Sequence, residues 1–159
     1  MTRTHARSLK GERAEVVEPF NKGQNISVIS SLSLAGVGAT MSIEGAVDTQ
    51  AFDAFVEHFL VPTLFKDDIV LLDNVKFHYS KRAIQLIEGT GASVLHIPTY
   101  SPDFNPIEEC ISKIKEYLRG VKARTKRKLL NALAKAIEKI ATDDACGWFA
   151  DCGYIFSFV

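Results

Sequence analysis

Apolar and polar residues alternate along residues 26–35, and this period of two predicts a β-strand with one buried face. Residues 39–47 contain a second run that favours a strand. Gly36 and Gly38 lie between the two runs, where glycines favour a tight turn. The pattern therefore predicts an antiparallel β-hairpin.

Apolar residues then recur at helical spacing over residues 52–60, which predicts an amphipathic helix. Asp48 or Thr49 can cap its start, because a short polar side chain accepts a hydrogen bond from a free backbone N–H there. Pro62 has no backbone N–H and restricts the residue before it, so we expect the helix to stop before Pro62.

Two short runs, residues 69–72 and 92–97, are mostly apolar, as expected for strands buried within a sheet that helices cover. A helix over residues 80–88 is predicted between them. This strand–helix–strand order implies parallel pairing, a right-handed crossover and an α/β layered fold. Further helices are predicted to begin at Asn105 and to span residues 125–142.

The length of 159 residues suits one domain with one core. We expect a basic arm over residues 1–25, a core over 26–119, and a C-terminal helix with an aromatic tail over 120–159. The apolar tail should pack back on the domain. Neither a membrane span nor a signal peptide is recognisable, which predicts a cytoplasmic location. The three cysteines lack paired metal-binding spacing and are expected to be reduced thiols.

The formal net charge is zero, but the charges are unevenly distributed. Residues 1–13 are basic, residues 44–73 carry seven acids and one base, and residues 113–128 carry eight bases and one acid. This pattern suits a polyanion-binding surface around a carboxylate site, although solvated helix faces would produce it too. The residues that could contact DNA phosphates are Lys113, Lys115, Arg119, Lys122, Arg124, Lys126, Arg127 and Lys128.

Asp73 follows the first predicted parallel strand directly. Ligands of open α/β sheets bind at the carboxyl ends of strands, and a carboxylate there can bind a hard cation such as Mg²⁺. The alternative is that Asp73 only caps a turn with Asn74. His78 could touch a phosphate or orient a ligand, or it could be an ordinary loop histidine.

Glu108 lies in the first turn of the helix that Asn105 and Pro106 are predicted to open. A glutamate at this position can simply cap its own helix. It also lies at the edge of the apolar stripe of that helix, so its carboxylate can point across the end of the sheet. A meeting of Glu108 with Asp73 is therefore permitted but not required.

The Asp73-Asn74 pair is followed by His78, and the string PTYSPDFNPIE spans residues 98–108. In this combination the chain resembles the DDE transposase domain of bacterial insertion sequences related to the mariner elements. The 34 residues between Asp73 and Glu108 match the spacing of that group. The long string is highly specific, whereas the Asp-Asn pair alone would be weak. The resemblance extends over most of the chain.

The resemblance implies a ribonuclease-H-like α/β fold with a mixed sheet flanked by helices. In that family three carboxylates hold two divalent cations, Mg²⁺ or Mn²⁺, which support DNA cleavage at the ends of the element and strand transfer. Asp73 and Glu108 match two of these carboxylates and are expected to be catalytic metal ligands, with Asn74, His78 and Asn105 as candidate supporting residues. The implied partners are terminal inverted repeats, target DNA and a second subunit of a homodimer at the bacterial nucleoid.

One part of the family pattern has no counterpart in the sequence. The first Asp of the family lies on the first, central strand, and residues 1–25 contain no Asp. We therefore expect that the central strand is missing and leaves two unpaired strand edges. The chain would then represent the downstream part of a transposase, with little or no cleavage activity alone.

Two other functions are alternatives to this one. A non-catalytic fragment could bind DNA, or it could complement a separately encoded N-terminal piece. A phosphatase-like hydrolase with Asp73 as its nucleophile would require an Asp-x-Asp motif or a glycine-rich phosphate loop. Neither occurs in the sequence.

Overall fold

The computed structural model describes residues 9–11, 25–99 and 101–155, except for the side chain of Pro102. Most of the predicted basic arm over residues 1–25 lies outside the described residues, as does the end of the aromatic tail. Among the described helices, none is both long enough and apolar enough to cross a membrane. All three cysteines are free thiols, as predicted.

The described residues form an α/β arrangement of helices and two small sheets. The strands are β1 (Ile26–Ser33), β2 (Gly36–Glu44), β3 (Ile69–Leu72) and β4 (Ser93–His96). The helices are α1 (Thr49–Phe55), α2 (Lys81–Glu88), α3 (Pro106–Val121), α4 (Lys126–Glu138) and α5 (Thr142–Asp151). Shorter helical turns span Val56–Leu60, Val61–Thr63, Lys76–Tyr79 and Pro102–Phe104.

The strands β1 and β2 form the predicted antiparallel hairpin, but the predicted turn position is wrong. The turn consists of Leu34 and Ala35. Gly36 is already the first residue of β2 and pairs with Ser33 of β1. Gly36 adopts a φ of +113°, which glycine tolerates, so the chain can reverse two residues earlier than expected. Gly38 lies beside a register shift in β1, where a Cβ would approach the Ser31 hydroxyl oxygen to 3.0 Å.

The helix after the hairpin begins at the predicted cap, Asp48, but its helical path continues further than predicted. Asp48 caps it by accepting a hydrogen bond of 2.8 Å from the backbone N–H of Ala51. Beyond α1 the chain continues as a π-helical turn and then as the 3₁₀ turn Val61–Thr63, so Pro62 does not end the helical path. Proline is tolerated there because it occupies the first turn of a new segment, where its missing N–H needs no partner.

The strands β3 and β4 pair in parallel, as predicted, with Ile69 opposite Ser93 and Leu72 opposite His96. The expectation that these strands are buried on both faces is wrong. Leu72 is 7% exposed, whereas Ile69 is 64% exposed. Among the described helices, α3 does not cover this second face but packs mainly against α4, α5 and β1.

The two sheets do not hydrogen-bond to each other within the described residues. Their strands β1 and β3 line a groove of about 600 Å³, together with Phe52 and Phe55 of α1, Ile107 of α3 and Phe149 of α5. The ribonuclease-H-like mixed sheet and its missing central strand stay predictions.

The main core lies between the sheets, α1, the π-helical turn and α2. Its buried side chains are Phe52, Phe55, Val56, Leu60, Leu72, Ala83, Ile87 and Ala92. A smaller cluster between α3 and α4 contains Leu118, Ala132 and Leu133. The fold therefore attaches the helix that carries Glu108 to the hairpin and to the C-terminal helices.

The predicted helix over residues 125–142 is too long, and the predicted tail begins as a separate helix. The helix α4 ends at Glu138, where the N–H of Lys139 closes the last turn on Ala136. Asp144 accepts a hydrogen bond of 2.9 Å from the N–H of Ala141 and so opens α5. This local cap outweighs the apolar periodicity that ran through Ile140.

Replacing Ile87 by Ala should destabilise the fold by about 2–5 kcal/mol, because its fully buried side chain would leave a cavity. Ile69→Ala is the matched control, since it makes the same deletion at an exposed position and should change stability by less than about 1 kcal/mol. Urea unfolding monitored by circular dichroism measures both. Equal losses would contradict the placement of the core.

Candidate functional site

Asp73 follows the last residue of β3, at the carboxyl end of a parallel strand. Its Oδ1 accepts a hydrogen bond of 3.1 Å from the N–H of Val75 and lies 2.6 Å from Nδ1 of His78. Its Oδ2 has no hydrogen-bond partner within the described residues. The turn-capping role that the sequence allowed is thus realised by one oxygen, and the other oxygen stays available.

His78 is held in place by two aromatic rings. Its ring centroid lies 4.6 Å from that of Phe52 and 4.7 Å from that of Phe77, and its side chain is 16% exposed. Nδ1 also lies 3.2 Å from the main-chain oxygen of Asp73. Since both neighbours of Nδ1 are acceptors, this nitrogen carries the proton, and the imidazole fixes the orientation of the Asp73 carboxylate.

Asn74 joins the ends of the two parallel strands. Its side-chain NH₂ donates to the carbonyl of Ile97, and its side-chain oxygen accepts from the hydroxyl of Tyr79. The N–H of Ile97 donates in turn to the carbonyl of Leu72 at 2.8 Å. Because both polar atoms of the Asn74 amide are engaged, this side chain fixes the site geometry without offering a free ligand atom.

Glu108 lies in the first turn of α3 and is exposed. Asn105 occupies the N-cap position, but its side chain makes no capping bond; the backbone N–H of Glu108 instead donates to the Asn105 carbonyl at 3.1 Å. The predicted helix start at Asn105 and Pro106 is therefore confirmed, but the Asn105 side chain does not cap it. No hydrogen bond engages the Glu108 carboxylate within the described part of the chain. The carboxylate therefore does not cap its own helix.

The two predicted carboxylates line one cleft of about 210 Å³. Asn74 and Asn105 line it as well, whereas His78 contacts Asp73 from the adjoining groove. The rest of the lining is Val75, Ile97, Pro98, Thr99 and Ser101. Across the described ranges, no three His, Cys, Asp or Glu side chains come together in a metal-ligating cluster. The cleft thus presents two hard oxygen donors, which suit Mg²⁺ or Mn²⁺.

The predicted DNA-contacting residues divide into two groups. Lys113 is ion-paired, with its Nζ 2.6 Å from Asp144 and 5.9 Å from the centroid of the Trp148 ring, and Lys126 is ion-paired with Glu44. The other six form no ion pair within the described residues: Arg119 is half-buried, and Lys115, Lys122, Arg124, Arg127 and Lys128 are exposed. The unpaired positive charge therefore lies along α3 and at the start of α4.

The ion pair of Lys113 with Asp144 fastens α5 to α3. The hydrogen bond from Lys113, aided by the N–H of Ala141, lowers the pKa of Asp144 below its ordinary value. Nearby, burial and the charge of Asp144 raise the pKa of the Cys110 thiol to about 11. Cys110 is 2% exposed, so it is an unreactive core residue.

Sequence reasoning missed two tyrosines that shape the site. Tyr79 binds Asn74, and the Tyr154 hydroxyl donates at 2.8 Å to the carbonyl of Phe104, in the turn before α3. The proximity of Tyr79 to His78 in the sequence was an available signal. Tyr154 contacts a residue far away in the sequence, so no local pattern could have identified it.

An α/β fold with two carboxylates on one cleft at a parallel strand end is consistent with a DDE-type nuclease domain. A family model described as DDE superfamily endonuclease matches residues 1–130, and the chain belongs to that family. Membership indicates a transposase-like nuclease with a DNA substrate, and domains of this family generally depend on divalent metal ions. A comparison with curated proteins found no match.

Replacing Lys113 by Gln should lower the melting temperature at neutral pH, because Asp144 loses the donor that lowers its pKa. The pair stabilises the fold above the ordinary carboxyl pKa of 3.8, and this contribution disappears as the pH falls through the lowered pKa of folded Asp144. The difference from wild type should therefore shrink on acidification. Thermal unfolding at several pH values measures it.

Lys115→Gln is the matched control for this experiment. Lys115 lies on the same helix and is exposed, without an ion pair within the described residues. Its replacement should leave the melting temperature unchanged at every pH. A Lys113→Gln variant as stable as wild type at pH 7 would contradict a stabilising role of the ion pair.

Proposed function

We propose that the chain is a catalytic domain of a bacterial insertion-sequence transposase related to the mariner elements. Its reaction would be metal-dependent DNA cleavage and strand transfer at the ends of the element. The observation that carries this proposal is the shared cleft of Asp73 and Glu108, which have 34 residues between them in the sequence and come from different elements. Membership of a DDE endonuclease family supports the same reaction class.

Asp73 and Glu108 are the residues that would hold Mg²⁺ or Mn²⁺, with two ions expected in a complete site. Oδ2 of Asp73 is the available atom, because Oδ1 is engaged by Val75 and His78. A bound divalent cation would supply charge stabilisation for the oxygens of the reacting phosphate. The chain's own residues do the positioning: His78 orients Asp73, and Asn74 holds the ends of β3 and β4 together.

DNA would run from the cleft along α3 towards the basic segment. The distance from Glu108 to Lys122 along the helix is about 21 Å at a rise of about 1.5 Å per residue, or about six nucleotide steps. The exposed cations would neutralise phosphates and set the register without reading sequence. The proposed partners are the terminal inverted repeats, target DNA and, in the complete enzyme, a second subunit, acting at the nucleoid.

We further propose that this polypeptide alone cleaves DNA poorly. The resemblance implies three carboxylates. Within the described ranges, two carboxylates line the cleft, those of Asp73 and Glu108. With one ligand fewer, the cation would be held weakly and its position would be poorly defined.

A second candidate is a non-catalytic fragment that binds DNA or completes a separately encoded partner. The groove between β1 and β3 favours it, because both strands have a neighbour on one side only within the described residues. Apolar side chains such as Phe55 and Ile107 also line the groove. An extended apolar strand could pair with both edges and fill the space.

In a nicking assay, the chain alone should leave DNA that carries its flanking genomic sequences intact in Mg²⁺ or Mn²⁺. Co-expression with a polypeptide encoded upstream that supplies a strand and a carboxylate should restore nicking. Asp73→Asn should abolish the restored activity. Glu109→Gln is the matched control, because Glu109 is an exposed neighbour of Glu108 that does not line the cleft.

Robust nicking by the chain alone that Asp73→Ala removes would contradict the proposed inactivity. Restored nicking would support complementation, whereas association with the upstream polypeptide without restored nicking would favour a fragment that only binds. Restored nicking that survives Asp73→Asn would contradict the proposed site.

A further inference from the structure

Tyr79 stands beside the acidic cleft but has no place in the function proposed above. It ends the 3₁₀ turn Lys76–Tyr79, and its hydroxyl donates to the side-chain oxygen of Asn74. Asn74 lines the cleft that contains Asp73 and Glu108. The hydrogen bond thus holds the tyrosine hydroxyl against a residue that lines the cleft.

One face of the Tyr79 ring is covered, and the other is open. The ring stacks on that of His96 with a centroid distance of 4.3 Å and an interplanar angle of 23°. Tyr79 is nevertheless 51% exposed. Since His96 covers one face and no second aromatic ring or cation stacks on Tyr79 among the described residues, the opposite face is the one left for a further stacking partner. The ring is therefore a fixed aromatic surface that faces solvent next to the carboxylates.

A second exposed aromatic residue lies next to a lining residue of the cleft in the sequence. Phe104 is 50% exposed and directly precedes Asn105, which lines the cleft at the start of α3. The carbonyl of Phe104 is held by the Tyr154 hydroxyl at 2.8 Å. Tyr79 is the better placed of the two, because its hydroxyl bonds directly to the lining residue Asn74.

We propose that the open face of Tyr79 is a stacking platform for an unpaired nucleobase next to the phosphate that enters the cleft. This inference rests on the proposed function and specifies its substrate. Both faces of a paired base inside a duplex are covered by its neighbours, so only an unpaired or terminal base can stack on a protein ring. Because Asn74 and His96 already hold the ring, stacking orders no further protein side chain.

A stacked base on one aromatic side chain typically changes affinity by roughly 5- to 100-fold. The base can come from a single-stranded end or from an unpaired position within a duplex. Three DNAs distinguish these sources: a single strand, a duplex with one unpaired 2-aminopurine, and a fully paired duplex that contains 2-aminopurine. Stacking quenches the fluorescence of this base, so quenching and affinity are measured in one titration, without divalent metal.

Two variants separate the ring from its hydroxyl. Tyr79→Phe keeps the ring and loses the hydrogen bond to Asn74, and Tyr79→Leu keeps apolar bulk without the aromatic face. Phe65→Leu is the matched control, because Phe65 is 75% exposed and precedes β3, at the opposite end of that strand from Asp73. Melting temperatures establish that each variant is folded.

Wild type, Tyr79→Phe and Phe65→Leu should quench the unpaired 2-aminopurine. Tyr79→Leu should lose the quenching and bind the unpaired DNAs roughly 5- to 100-fold more weakly, with unchanged affinity for the paired duplex. Quenching of the single strand alone identifies a strand end as the ligand. Quenching of the duplex with one unpaired 2-aminopurine alone identifies an unpaired internal base.

Quenching by Tyr79→Leu at the wild-type level would overturn the inference, and so would equal losses in Tyr79→Phe and Tyr79→Leu, which would assign the effect to the hydroxyl. Equal quenching of the fully paired duplex would also overturn it. Failure of the proposed function is separate, because metal-dependent nicking is not part of this titration. If co-expression restores nicking and the Tyr79→Leu variant quenches as wild type does, the stacking platform is overturned and the proposed function stands.

Discussion

The parallel pairing of β3 with β4 is the constraint on which the acidic cleft depends. Parallel strands end at the same edge of a sheet, so Asp73 after β3 and Ile97 after β4 are brought side by side. The Asn74 side chain ties these two ends together. From Ile97 only a short loop leads to α3, and Glu108 enters the same cleft from its first turn.

The positions of both carboxylates follow from local signals that the sequence displays. Short apolar runs predicted β3 and β4, and their separation by a helix predicted parallel pairing, which the structure confirms. Proline at the start of α3 predicted the helix that carries Glu108. Each of these signals lies within a few residues of the element that it specifies.

The features that could not be predicted depend on contacts between residues distant in the sequence, or on which of two possible turn positions the chain adopts. The hairpin turn lies at Leu34 and Ala35, two residues before its predicted position, because Gly36 adopts a positive φ. The burial of β3 was overestimated, because a run of apolar residues does not reveal which helix packs on which face. Lys113 had the pattern of a DNA contact, and its pairing with Asp144 depends on the packing of α5 against α3.

Binding of Mn²⁺, followed by electron paramagnetic resonance, tests most directly whether Asp73 and Glu108 form one metal site. If they do, Asp73→Asn and Glu108→Gln should each weaken the same binding event by at least about tenfold, while Glu109→Gln leaves it unchanged. The double variant should lose less than the sum of the two single losses, because the two carboxylates hold the same ion. Wild-type Mn²⁺ affinity in either single variant would contradict the shared site.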